Sequence, residues 1–283
     1  MGKDLKTVLS DQLEPWEIQL LYRAYDIIGD IAVIRIPEAL EHRSRIIAEA
    51  VMETQKRVKT VLRQVSPVSG EFRLRELEWV AGEKKTETVH KEYGCLFKVD
   101  VEQCYFSPRL SYERRRISQQ VKAGEVVVNM FSGVGCYSIV IAKHSQAEKI
   151  YSIDVSPVAV RYMRENVGLN KVAGQVVPLE GDAKSVIMDR LQEIADRVLM
   201  PLPERAYEYL DYAVQTLKPT GGWIHYYDFQ HAKKEENPVD NVKVKLIGKL
   251  QELTSYFEFS IGRTVRTIGP NWYQVVLDLR VQK

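Results

Sequence analysis

Residues 125–154 read EVVVNMFSGVGCYSIVIAKHSQAEKIYSID. Residues 125–130 form a short β-branched run, the pattern of a strand buried on both faces of a parallel sheet. FSGVG (131–135) follows at once. Its two glycines, Gly133 and Gly135, bracket a single residue, so the backbone can turn tightly and lie close to a ligand. Residues 137–143 have helical spacing, and a second apolar run (149–153) ends on Asp154. Strand, glycine turn, helix, strand, acid is the order of an open α/β sheet. In such sheets a nucleotide-like ligand sits in the crevice at the carboxyl ends of the strands. A carboxylate accepts from two hydroxyls at once, so Asp154 suits a ribose diol.

The spacing discriminates between ligands. The dinucleotide fingerprint needs a third glycine to approach a pyrophosphate. Ser138 stands at that position, and no phosphate-cradling Lys follows. S-adenosylmethionine has no phosphate and needs only the first close approach, so it is the expected cofactor. Phe131, Ser132, Gly133, Gly135 and Asp154 are its expected contacts. Asp182, in LEGD after a third strand at 175–179, is placed to reach an adenine amino group. Its competing role is a helix N-cap.

Composition bounds the rest. The 283 residues are 45% hydrophobic, which fits one large globular domain or one plus a small one. No apolar run is long enough to span a bilayer, and the polar N-terminus is unlike a signal peptide. Three cysteines (Cys95, Cys104, Cys136) are odd in number and lack metal spacing, which points to a reducing cytoplasm and no metal. A net charge of +2 means that nucleic-acid binding must come from local patches.

Along the chain, residues 1–26 read as an amphipathic helix and 27–37 as a strand. Residues 37–58 read as a helix with Leu40, Ile46, Ile47, Ala50 and Val51 inward, and 59–65 as a strand. A meander is expected over 71–81, 86–91 and 95–99, with turns at 82–85 and 93–94. Arg73, Arg75, Lys84, Lys85, His90 and Lys91 crowd this segment. Such a cluster holds RNA phosphates or simply forms a solvated hairpin face. Residues 105–116 (YFSPRLSYERRR) turn into a helix at Ser107-Pro108. Glu113 lies in its early turns, flanked by Arg114–Arg116, where cations favour an ionised carboxylate. It is a candidate base if it faces the crevice, and otherwise a member of a helical ion-pair network. Beyond Asp154, Ser156-Pro157 caps a helix to residue 170. A fourth strand at 196–200 runs into Pro201-Leu202-Pro203. A helix at 204–217, a strand at 221–227, a largely helical 239–258 and a closing hairpin over 257–265 and 271–281 complete the reading.

These segments resemble, from about residue 27 to the end, the archaeal and eukaryotic family that methylates the purine at position 37 of tRNA. The most specific stretches are GEKKTETVHKEYG (82–94), YFSPRLSYER (105–114), FSGVG (131–135) and ADRVLMPLP (195–203). The family's founding activity is transfer from S-adenosylmethionine to N1 of guanosine. Relatives methylate C7 of the tricyclic wyosine intermediate or add an aminocarboxypropyl group to it. The resemblance implies a small mixed α/β domain (1–110) that contacts RNA. A Rossmann-like, mainly parallel seven-stranded methyltransferase domain (111–283) follows it. The enzyme is expected to be a cytoplasmic monomer with tRNA as its partner.

Carried over by residue, Arg73 matches an arginine that offsets negative charge on the target base, and Glu113 the proposed general base. Tyr105 and Arg109 match the motif that shapes the base pocket. Arg114, Lys84, Lys85, His90 and Pro203 are the further expected RNA contacts. The chain departs from the family at Asn129, where Asp is usual, and at Pro201, where Asn precedes Leu-Pro. Many methyltransferase members also carry an extra N-terminal RNA-binding domain, for which the reading finds no room here. Aminocarboxypropyl transferases lack the SPRL arginine and the Leu-Pro after strand four. This chain keeps both, which favours methyl transfer. The Pro201 departure leans the reading towards C7 of the tricycle over N1 of guanosine. Different classes, a non-catalytic RNA-binding module or a small-molecule methyltransferase, are disfavoured by the intact glycine turn and the basic first segment.

Overall fold

A computed structural model describes residues 5–22 and 24–283 of the protein. The chain divides into two compact units, Met1–Ser111 and Tyr112–Lys283. In the first, α1 (Leu5–Leu9) and α2 (Pro15–Leu20) precede β1 (Asp26–Ile28) and β2 (Ile31–Ile34). The long N-terminal helix expected from the pattern is therefore two short ones. Pro15 starts the second behind a capping box in which Glu14 and Glu17 serve each other's backbone N–H. The strand expected at 27–37 is likewise a tight hairpin, broken where Gly29 takes a positive φ.

A 3₁₀ turn (Glu38–Arg43) leads into α3 (Ser44–Thr54), which crosses over to β3 (Thr60–Gln64). That crossover is why β2 and β3 pair in parallel, whereas β4 (Leu77–Gly82) returns antiparallel to β3. The sheet order is β1-β2-β3-β4. Its core joins Leu9, Leu13 and Leu21 to Leu40, Ile47, Val51 and Val61. The meander expected from residue 71 does not form as one sheet. β4 is spent on β3, and β5 (Glu87–Glu92) with β6 (Cys95–Asp100) makes a separate two-stranded hairpin. Residues 71–76 are turn and irregular backbone, with Arg73 at φ +55°.

The second unit starts on α4 (Ser111–Gln120) and alternates strand and helix. Its elements are β7 (Val126–Asn129), α5 (Cys136–His144), β8 (Lys149–Asp154), α6 (Pro157–Leu169), β9 (Val176–Glu180), α7 (Ala183–Arg190), β10 (Arg197–Met200), α8 (Ala206–Thr216) and β11 (Gly222–His231). Then come α9 (Pro238–Leu253), β12 (Tyr256–Gly269) and β13 (Trp272–Gln282). The seven-stranded sheet runs β12-β13-β11-β10-β7-β8-β9. β7 to β11 are parallel, and the final hairpin adds β13 antiparallel to β11. From β7 the strand order moves outward one way to β8 and β9, and the other way to β10 and β11. The carboxyl ends of β7 and β10 thus flank the switch point where such sheets bind ligands. α9 ends sooner than its pattern suggests, because Phe257-Glu258-Phe259 alternates aromatic and polar and pairs with β13.

A line of buried polar groups crosses this apolar sheet. Arg197 on β10 pairs with Glu125 at 2.7 Å and donates from Nη1 to His225 Nε2 at 2.6 Å. Arginine can only donate, so Nε2 accepts and His225 carries its proton on Nδ1, which donates to Asp278 at 2.6 Å. Burial first of all holds the His225 pKa below the usual histidine value, against the pull of Asp278. The unfolded chain takes up this proton near pH ~6.5, before the folded protein does, so acidification through that value destabilises the fold by up to about 1.4 kcal/mol per pH unit. The Tm measured by calorimetry is therefore expected to fall between pH 7.5 and 5.5. His225→Gln should flatten that slope while lowering the Tm at neutral pH. Equal slopes for both proteins would contradict the assignment.

Candidate active site

The glycine turn is built between β7 and β8. After Asn129, the Ser132 N–H donates to Ile153 O at 2.8 Å and its hydroxyl to Asn129 O at 3.1 Å. Gly133 (φ +54°) donates its N–H to Asp154 Oδ2 at 2.6 Å. Gly135 (φ +90°) opens α5, and a Cβ there would stand 2.8 Å from Met163 Cγ. Both glycines are thus required by backbone conformation, and Gly135 also by space. Below the turn the Asn129 amide donates to Ser138 Oγ at 3.1 Å, and the Ser152 hydroxyl meets the same oxygen at 2.6 Å. This neutral network satisfies the Asn129 Nδ2, while its buried Oδ1 has no hydrogen-bond partner among the described residues.

Asp154 ends β8 with its second oxygen accepting from Ser156 N–H at 3.0 Å. Burial pushes its pKa up, offset by these two backbone donors. A carboxylate has about four lone-pair sites, so acceptor capacity for a diol remains. Asp182 is the N-cap of α7, accepting from Lys184 N–H and Ser185 N–H at 3.0 and 3.3 Å. Its other oxygen accepts a short hydrogen bond from the Tyr209 hydroxyl. The competing N-cap role of Asp182 is therefore real. Tyr209 also packs edge-on against Phe131 at 5.2 Å, so Phe131, Tyr209 and Asp182 form one wall. Burial and the neighbouring Asp182 push the Tyr209 pKa up to about 12, so it donates at neutral pH. Sequence reasoning missed Tyr209, because nothing in the α8 pattern separates it from a core aromatic.

At the carboxyl end of β10 lie Pro201 and Leu202, half-buried, and buried Pro203. Leu202 O accepts from Arg205 and Ala206 N–H and so starts α8. The two prolines present no N–H there.

Glu113, on α4, is 1% exposed. Its Oε1 accepts from the Tyr227 hydroxyl and Arg116 Nη2, both at 2.7 Å, and its Oε2 from Arg116 Nε at 2.9 Å. Arg263 Nη1 lies 3.9 Å away. The ion-pair alternative thus holds in part, though the pairing is buried rather than on the helix surface. Arg114 is also buried, at 3%, and in this structure presents no guanidinium to solvent for an RNA phosphate.

In the first unit, the Arg73 guanidinium stacks over the Tyr105 ring at 4.4 Å from its centroid. Arg109 pairs with Asp26 at 2.6 Å and remains half exposed. Burial lowers the pKa of neighbouring Arg75, which Arg35 and Arg109 reinforce against Asp26 and Tyr105. Arg35 is a member of this cluster that the sequence did not single out. Two of the expected phosphate contacts are otherwise engaged. Lys85 bridges Asp30 and Glu83 at 2.8 and 2.7 Å. His90 accepts from Gly29 N–H through Nδ1 and packs on Phe106 at 5.0 Å. Lys84 stays exposed.

Among the described residues, no helix is long and apolar enough to cross a membrane. Family models for the TRM5/TYW2 methyltransferase domain and the TYW2 N-terminal domain match residues 88–251 and 5–86. The chain is 39% identical to tRNA (guanine(37)-N(1))-methyltransferase Trm5b of Pyrococcus abyssi, over 94% of this chain and 78% of that one. It is also 39% identical to tRNA 4-demethylwyosine(37)-methyltransferase Taw21 of Saccharolobus solfataricus, over 98% and 99%. Identity is 33% to a tRNA(Phe) (4-demethylwyosine(37)-C(7)) aminocarboxypropyltransferase of Methanocaldococcus jannaschii, over 92% and 98%. Among solved structures, Trm5b of P. abyssi superposes with TM-score 0.85 at 39% identity, covering 96% of this chain and 79% of that one. A complex of aTrm5 with tRNALeu gives TM-score 0.85 at 32% identity, covering 100% and 79%. P. horikoshii TYW2 in complex with MeSAdo gives TM-score 0.79 at 30% identity, covering 100% of each. With the glycine turn, the acid ending β8 and the sheet order in place, the chain belongs to the TRM5/TYW2 family of S-adenosylmethionine-dependent transferases.

Proposed function

We propose that this protein methylates C7 of the tricyclic 4-demethylwyosine at position 37 of tRNA, using S-adenosylmethionine. The observation that carries the reading is Pro201 at the carboxyl end of β10, beside the switch point. In N1-methylating relatives the matching Asn offers guanine an amide that donates and accepts at once. Proline offers neither a polar side chain nor an N–H. Leaving the guanine edge unpaired costs roughly 1.5–3 kcal/mol. The tricycle has N1 closed inside its third ring and presents a larger flat apolar face, which a proline-lined wall accommodates. The match to Taw21 across nearly the full length of both chains supports this reading. The equal identity to Trm5b favours a second one, N1 methylation of guanosine 37. Arg109 and Leu202-Pro203 support methyl over aminocarboxypropyl transfer.

S-adenosylmethionine supplies an electrophilic methyl group on a sulfonium. The C7–CH₃ bond forms as the S–CH₃ bond breaks, and the C7 proton passes to a base, for which Glu113 is the proposed acceptor. The Tyr227 hydroxyl and Arg116 hold its carboxylate in place. Arg73, over the Tyr105 ring, is proposed to offset negative charge on the purine. Tyr105, Arg109 and exposed Lys84 are the proposed RNA contacts. Phe131 to Gly135, Asp154 and the Asp182–Tyr209 wall are the proposed cofactor seat.

Asp154→Ala removes the proposed ribose acceptor and should weaken S-adenosylmethionine binding by roughly 1.5–3 kcal/mol in a calorimetric titration. Unchanged affinity would remove Asp154 from the seat. The acceptor is tested by mass spectrometry of the position-37 nucleoside, after incubation with unmodified tRNA and, separately, with tricycle-containing tRNA. Methylation of the tricycle is expected to dominate. Efficient methylation of guanosine alone would overturn the C7 reading. Pro201→Asn should raise guanosine methylation more than tricycle methylation. An unchanged ratio would show that residue 201 does not select the acceptor.

A further inference from the structure

Arg116 is gripped from two sides. Nε and Nη2 reach Glu113 at 2.9 and 2.7 Å, while Nη1 and Nη2 reach Asp278 at 2.5 and 3.1 Å. Burial works against this charge, yet the two carboxylates hold the Arg116 pKa above its ordinary value. Asp278 is fully buried on β13 and is itself fixed by His225 Nδ1 at 2.6 Å and Gln120 Nε2 at 2.9 Å. Every group in this chain has a defined partner, from Glu125 through Arg197, His225, Asp278 and Arg116 to Glu113. Buried ion pairs are a poor route to stability, since apolar replacements are often neutral or stabilising. A line of them that ends on the candidate base therefore points to a role at that base.

The charged and titratable groups facing Glu113 come from five elements. They are Arg116 on α4, Tyr227 on β11, Arg263 on β12, Tyr137 on α5 through the Tyr227 hydroxyl at 3.4 Å, and Asp278 on β13 through Arg116, while Arg114, also on α4, acts on Tyr137. Arg116 donates to Glu113 through two nitrogens and is shared with Asp278. Two carboxylates on one guanidinium leave Glu113 only part of the opposing positive charge. They also fix the plane of the fork, and with it the plane of the Glu113 carboxylate.

We propose that Asp278, seated by His225 and Gln120, is a positioning residue that acts through Arg116 to orient the Glu113 carboxylate. The proposal rests on Glu113 being the proton acceptor. With Asn at 278, the Arg116 charge would fall wholly on Glu113, a change that the pH dependence of the rate reads out. Single-turnover rates are measured against pH at saturating S-adenosylmethionine, on whichever tRNA the wild-type protein converts. Asp278→Asn is expected to cut the rate by about tenfold or more, to move the acidic limb to lower pH, and to leave tRNA and cofactor affinity within about twofold. Gln120→Leu removes one donor from Asp278 without touching its charge. It should lower the rate several-fold with the limb unmoved, and it keeps the test open if Asp278→Asn does not fold. Glu113→Gln separates the two levels of the argument. If Glu113→Gln is inactive while Asp278→Asn or Gln120→Leu matches wild type in rate and limb, the positioning role is wrong and the base stands. If Glu113→Gln itself stays within a few-fold of wild type, the base assignment fails and the positioning role fails with it.

Discussion

The hydrogen bond from the Gly133 N–H to the Asp154 carboxylate, at 2.6 Å, ties the carboxyl end of β7 to that of β8. It forms because the chain can take a positive φ at Gly133 and again at Gly135. A side chain at Gly135 would meet Met163 on α6, so the turn, the helix beyond it and the acid of the neighbouring strand are set together. The rest of the second unit hangs on this junction. Ser132 closes it onto Ile153, and Asn129 and Ser138 pack a neutral polar layer beneath it. β10 then lies on the other side of β7, which brings Pro201 to the same edge of the sheet.

That edge was legible in the sequence because its parts are local. A β-branched run, two glycines and an acid at the end of the next run require no tertiary knowledge, and they identified the sheet type and the cofactor class. Segments whose structure depends on a distant partner read less well. Residues 71–76 looked strand-like, but β4 takes its pairing from β3 and leaves them irregular. Residues 254–258 continued a helical pattern, yet pairing with β13 across an 11-residue strand outweighs local propensity there. Lys85 and His90 looked like phosphate ligands because their partners, Asp30 and Gly29, are more than 50 residues away in the chain.

The buried polar line is the clearest case of the same limit. Asp278 stands alone in the apolar run VVLDL, and His225 in GGWIHYY. Each is a conspicuous exception on its own strand, but nothing local says that they meet at 2.6 Å. In a low-dielectric sheet such groups persist only when fully partnered, and this set is partnered from Glu125 to Glu113. The same interior that makes an unpaired charge costly makes the paired one rigid, which suits the proton-accepting role proposed for Glu113.

Glu113 and Pro201 acquire their proposed roles only relative to where the cofactor lies. A crystal structure of the protein with S-adenosylmethionine tests this directly. The account predicts the ribose hydroxyls within hydrogen-bond distance of Asp154, the adenine against the Phe131–Tyr209–Asp182 wall, and the methyl group pointing to the carboxyl ends of β7 and β10. A cofactor seated elsewhere on the sheet, or one whose ribose does not reach Asp154, would contradict it.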